Sequence, residues 1–211
     1  MAALAAGALM MLAGAPTEAP AAPSRNSPEN TRPAALRVRV SEPAVVIAGP
    51  AGYCVDLAAS RQRDGEAFVL LGSCAAITQD ARHREPAVRA VITASVSGLE
   101  AGYTIAQTLP SLERYFRSEE GRRILSRDGR AESIDVLETR TEGRVFYVRT
   151  RDLAQGAAAG GSAEYWRAFF DVDGHIVSAS VLGTEAAPLS AQQGLSVLKS
   201  FVRKISRENR S

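Results

Sequence analysis

Tyr165-Trp166-Arg167-Ala168-Phe169-Phe170-Asp171-Val172, then Asp173-Gly174, then His175-Ile176-Val177-Ser178-Ala179-Ser180-Val181-Leu182, is the stretch that decides the fold of this chain. Two β-branched and aromatic runs joined by Asp-Gly read as a hairpin closed by a two-residue turn, since both turn positions need positive φ. Such a turn fixes the register. Trp166, Ala168, Phe170 and Val172 then share one face with His175, Val177, Ala179 and Val181, and this face reads as core. Trp166 falls beside Val181 in that core. The opposite face is mixed, but Tyr165, Phe169, Ile176 and Leu182 leave enough apolar area there to call for a second layer over part of it.

Working upstream, alternation over 133–138 and 144–152 with Thr141-Glu142-Gly143 between them reads as another hairpin, and a Gly/Ala-rich loop over 155–161 links the two. Before it the period changes: Leu109, Leu112 and Phe116 recur at three and four residues, a helical stripe. Ser118 is placed to cap a second helix, with Glu119 and Glu120 in its first turn, Arg122, Arg123 and Arg127 toward its end, and Asp128-Gly129 as its stop. The interleaved glutamates make that arginine cluster a solvated helix face rather than an anion site. Downstream, Ser190 and Gln193 have capping-box spacing ahead of a stripe of Leu195, Leu198, Val202 and Ile205. Arg203, Lys204 and Arg207 sit in the last turns of this helix, where positive charge suits the dipole.

Toward the N-terminus, short apolar strands are expected over 44–48 and 52–56, parted by the turn dipeptide Gly49-Pro50, and longer ones over 66–73 and 87–97, parted by a polar loop with His83 and Pro86. The chain holds two cysteines, Cys54 and Cys74. In an oxidising compartment such a pair is most simply a disulfide, closing a loop of roughly 20 residues and contributing about 3 kcal/mol. That bond requires the strand around Tyr53 to lie beside the strand around Leu71. An oxidising compartment is what the first residues indicate. The uncharged Ala/Leu/Met run over 4–15, followed by small residues and prolines, reads as a signal peptide over 1–22, although no Lys or Arg precedes it. It is too short for a membrane span. A Pro-rich leader over 23–36 and one folded domain over 37–211 complete the organisation, with a periplasmic or secreted location and no transmembrane anchor in the mature form.

Charge and motifs exclude several functions. The formal net charge is only +2 with both signs interspersed, unlike a nucleic-acid binder. No nucleophile elbow, phosphate loop, His-Glu-x-x-His motif or dinucleotide fingerprint occurs, so no catalytic, cofactor-binding or metal residue is assigned. Leu71-Gly72-Ser73-Cys74 lacks elbow spacing. Asp171-Val172-Asp173-Gly174 lacks the further ligands of a calcium loop and reads as the hairpin turn. His175 reads as a partly buried edge residue. A hydrolase or thiol-dependent enzyme using His175 or the Cys54/Cys74 pair is the alternative class, discriminated by whether either lies in a cleft beside a second catalytic group.

The order strands, helical pair, hairpin, hairpin and terminal helix, with Leu198-x-x-Phe201 closing after a Trp-bearing strand, resembles the PsbP-like fold. Gly52-Tyr53-Cys54-Val55-Asp56, Leu70-Leu71-Gly72-Ser73-Cys74 and Tyr165-Trp166-Arg167-Ala168 are also similar to uncharacterised exported alphaproteobacterial proteins. The first resemblance implies an α+β domain: an antiparallel sheet of about six to seven strands flanked by helices as an α/β/α sandwich. It also implies a noncatalytic accessory or binding role, with a partner that remains to be named, such as another envelope protein.

Overall fold

The Asp173-Gly174 turn forms with φ of 47° and 83°, and pairs His175 with Val172 and Val181 with Trp166. Both angles are those a two-residue hairpin loop demands. The surrounding structure, a computed structural model, describes residues 34–97, 104–154 and 161–210, which belong to one compact unit spanning Thr31–Ser211. The segment read as a signal peptide, the leader up to residue 33 and nearly all of the 155–161 loop lie outside the described residues.

In chain order the strands are β1 (Ala34–Ala35), β2 (Arg37–Val40), β3 (Val45–Ala48), β4 (Tyr53–Arg63), β5 (Glu66–Ser73), β6 (Val91–Val96), β7 (Ile134–Glu142), β8 (Val145–Asp152), β9 (Gly161–Val172) and β10 (His175–Thr184). The helices are α1 (Cys74–Thr78), α2 (Ile105–Arg117), α3 (Glu119–Leu125) and α4 (Ala191–Glu208). Eight strands form one antiparallel sheet in the order β1-β4-β5-β6-β10-β9-β8-β7, and β2 and β3 form a separate two-stranded sheet. The architecture is α+β.

The strand count exceeds the six to seven expected. β1 is only two residues long, inside the stretch read as leader, and pairs with Val55 and Asp56 of β4. A strand that short has no alternation to detect. The 44–48 run is a strand, but as β3 it pairs with β2 instead of joining the main sheet. The loop expected before β6 contains α1, whose five residues are too few to show a helical period.

One face of the sheet is fully roofed. Trp166, Phe170, Val177 and Val181 pack there against Leu198 and Phe201 of α4, while Val45 and Ile47 of β3 extend the same core. Trp166 is 2% exposed and its indole N–H donates to the Ala191 carbonyl at 2.8 Å. Gly194 lets α4 come this close, because a Cβ there would stand 3.1 Å from the Trp166 ring. The capping box of Ser190 and Gln193 starts the helix as its spacing indicated.

The opposite face is roofed in parts. α2 and α3 cover β7, β8 and β9 through Leu112, Phe116, Leu125, Phe146, Val148 and Phe169, with the Phe116 and Phe169 rings stacked at 4.8 Å. Ser118 caps α3 by accepting from the Gly121 N–H. α1 covers the other end, where Cys54, Cys74 and Ile77 form a small separate cluster. Between these two roofs the sheet is left open by the described residues.

Candidate functional site

The gap in the second roof is created by register. Arg61 pairs with Phe68, Phe68 with Ser95, Ser95 with Ser178, and Ser178 with Phe169, giving one row of side chains across β4, β5, β6, β10 and β9. Residues paired directly across strands share a face. Two small hydroxyls therefore lie between two phenylalanines, and a trough of about 670 Å³ opens above them. Phe169 and Ile176 bound it on the α2 side, and Arg61, Gln62 and Arg63 rise on the other.

That second wall depends on a bulge in β4. The ladder with β5 breaks between Asp56 and Arg61. The Asp56 carboxylate accepts from the Ala58 and Ala59 N–H groups, both at 3.0 Å, and Ser60 Oγ donates to the Asp56 carbonyl while accepting from the Leu70 N–H. Bulges of this kind bend a strand and re-aim its side chains. Beyond the bulge, β4 and β5 close through Asp64-Gly65, with φ of 51° and 81°. The Arg61 guanidinium lies over the Phe68 ring, 4.9 Å from its centroid. At the far end the Ser97 N–H and hydroxyl both donate to the Ile176 carbonyl. The sequence reading ended the strand at residue 56 and missed this wall, although Asp64-Gly65 is a hairpin signal of the same kind as Asp173-Gly174.

The residues singled out from sequence lie elsewhere. Cys54 and Cys74 are disulfide-bonded with Cα atoms 4.8 Å apart, and Val55 pairs with Leu71 as that bond requires. His175 is not a partly buried edge residue but is 1% exposed, on the α4 face, with Nδ1 3.3 Å from the Asp173 carbonyl. The core face of the hairpin runs to its last pair and encloses the ring. His83 is exposed. Neither histidine lines the trough. Asp171, set aside as a calcium ligand, anchors α2: its carboxylate accepts from the Ile105 and Ala106 N–H groups at 2.8 and 3.0 Å. Carboxylates suit that position because the first N–H groups of a helix lack internal partners.

The arginines read as one helix face do more than face solvent, and the helix ends at Leu125 with Ser126 as its cap, before Arg127 and the Asp128-Gly129 stop expected for it. Arg123 pairs with Glu119, but Arg122 donates to the Ala131 and Arg117 carbonyls. Arg127 lies 3.6 Å from the fully buried Asp152, which also accepts from the Arg127 and Ala154 N–H groups. Buried charges are tolerated when bonded in this way. Asp152 carried no sequence signal of its role.

Few side chains have displaced titrations. Burial pushes Tyr53 and Tyr147 up to about 12. Arg82 holds the half-buried Asp80 down to about 2. Hydrogen bonds from Ser126 and the Arg130 N–H hold Asp128 well below the usual carboxylate range. None of these lines the trough. Among the described residues no three His, Cys, Asp or Glu side chains converge as a metal site needs, and no helix is long and apolar enough to cross a membrane. Comparisons with protein families, curated proteins and solved structures find no match for this chain.

Proposed function

We propose that this is a noncatalytic binding or accessory protein of the periplasm or extracellular space, of PsbP-like architecture, using the open trough to hold an amphipathic anionic group of its ligand or envelope partner. The observation that carries the reading is the Phe68-Ser95-Ser178-Phe169 row. Binding sites are typically concave and mostly apolar, with a few polar groups that orient the ligand. Here the two rings supply apolar walls, the serines supply hydroxyls, and Arg61 and Arg63, set against Glu66 across the strand pair, leave a net positive rim. The disulfide supports an oxidising compartment, where such bonds persist.

The alternative of a hydrolase or thiol enzyme has no comparable support, since His175 is enclosed in the core and both thiols are bonded to each other. The test is ligand-induced stabilisation with alkyl carboxylates and alkyl sulfates as probes. A probe at about 100 times its Kd should stabilise the protein by about 2.7 kcal/mol. Ser178→Arg, which fills the trough, should abolish that gain. Turnover of any substrate by the pure protein, lost in Ser178→Arg, would overturn the reading in favour of an enzyme.

A further inference from the structure

The exposed side of α4 carries a stripe of cations that core packing does not explain. Lys199, Arg203, Arg207 and Arg210 line one shallow cleft beside Tyr147, and Arg203, Lys204 and Arg207 line a second, larger one of about 1000 Å³ with Arg37 and Leu36. Arg203 and Arg207 thus form a ridge between the two clefts. Within this surface the carboxylates are Glu142, paired with Lys199, and Glu208, shared by Lys204 and Arg37. Six cations face two carboxylates, a surplus of four in a chain whose formal net charge is +2, so the remainder is net −2. Among the described residues Arg203, Arg207 and Arg210 have no carboxylate partner within 4.0 Å. Interaction with the helix dipole favours cations in the last turn, which here holds Arg207, and Lys199 and Arg37 have carboxylate partners; neither accounts for Arg203, a turn earlier, or Arg210, beyond the helix end.

An exposed leucine completes the pattern. Leu36 is 74% exposed at the edge of the larger cleft, directly before Arg37. A large apolar side chain held in water among cations is the combination found at lipid headgroup boundaries, where the apolar group inserts and the cations meet phosphates. An acidic protein partner would use the cations without needing Leu36, so a Leu36 substitution separates the two occupants.

We infer that the C-terminal half of α4, with Leu36 and Arg37, docks this domain peripherally on an anionic membrane surface. This does not depend on the trough binding anything. Sedimentation of the full chain with phosphatidylcholine vesicles, with and without phosphatidylglycerol, tests it. Binding is expected only with phosphatidylglycerol and should weaken as salt rises. Each of Arg203→Gln and Arg207→Gln should weaken it about fivefold, as expected for roughly 1 kcal/mol per cation at such a surface. Leu36→Ser should weaken it while leaving the salt dependence unchanged, and Arg123→Gln on α3 should leave it unaltered. Unchanged circular dichroism keeps the comparison between folded proteins. Equal binding to both vesicle types, or binding indifferent to the α4 variants, would overturn the inference by placing the contact elsewhere in the chain. Binding to polyglutamate but not to vesicles would overturn it in favour of an acidic protein partner.

Discussion

The two faces of the sheet are built from neighbouring residues of the same strands and differ in how completely they are roofed. On the α4 face, Trp166, Ala168 and Phe170 alternate with Arg167 and Phe169 on the other, and β10 sets Val177 and Ala179 against Ser178 and Ser180. The first set is buried without interruption. The second is a continuous apolar layer where α2 and α3 lie across it, at Phe146, Val148 and Phe169, and gives way to Ser95 and Ser178, with Phe68 beyond them, where no described helix does. Packing energy is therefore concentrated on one face and open space on the other. A fully roofed face loses packing energy with every altered methylene, whereas an open row tolerates change.

The largest effect expected from this division is at Trp166. Trp166→Ala removes a ring packed against Gly194 and the hydrogen bond to the Ala191 carbonyl, and should cost about 3 to 5 kcal/mol in denaturant unfolding. Trp166 is the chain's single tryptophan, so its native emission should be blue-shifted and resistant to aqueous quenchers. Emission typical of a solvated indole would break the comparison, because the hairpin facing would then be off by one residue.

On the second face the disulfide substitutes for packing. α1 has five residues and buries only Cys74 and Ile77, too little apolar area to hold a helix by itself. Cys54→Ala, Cys74→Ala and the double variant should therefore each lose about 2 to 5 kcal/mol, the three values agreeing because each removes the same bond. Alkylation of denatured, unreduced protein should label no thiol; two labelled thiols would remove the covalent hold from the account.

Alkaline pH probes the α4 face again. Tyr53 and Tyr147 are pushed up to about 12 by burial, whereas an unfolded tyrosine ionises near 10. Between those values the folded state retains protons that the unfolded state has lost, so stability falls as pH rises from 10 toward 12. The loss should be of order 1 to 2 kcal/mol per tyrosine. Tyr53→Phe should remove its share of the slope, and an unchanged slope would mean that the Tyr53 ring is in water.

What could be read in advance follows from how far apart the interacting residues lie in the chain. The β9–β10 hairpin, the Ser118 and Ser190 caps and the α4 stripe are set by residues within one turn or helix, so spacing alone reveals them. β1 and α1 escaped because two and five residues carry no period. The trough escaped for a different reason. Phe68, Ser95, Ser178 and Phe169 come from four strands, and nothing in any one strand marks them until pairing aligns them into a row. The placement of His175 failed by a smaller margin: its face was assigned correctly, but the depth of burial depends on the roof above it.

The smallest effect is expected at Ser178, and it tests the comparison most sharply because Ala179 beside it faces the other way. Ala179 is fully buried under the α4 layer, so Ala179→Val adds methyl groups to a filled space and should cost about 1 to 3 kcal/mol. Ser178 is half-buried in the trough with Phe169 on one side and Ser95 on the other. Ser178→Val adds similar bulk where space is open, in a strand that favours β-branched residues. Its stability change should stay within about 0.5 kcal/mol of zero. Equal, large losses at both positions in urea unfolding would mean that the trough is filled by packing in solution. A neutral Ser178→Val that also weakens probe binding would assign the row to recognition, because the added methyls narrow the trough without disturbing the core beneath it.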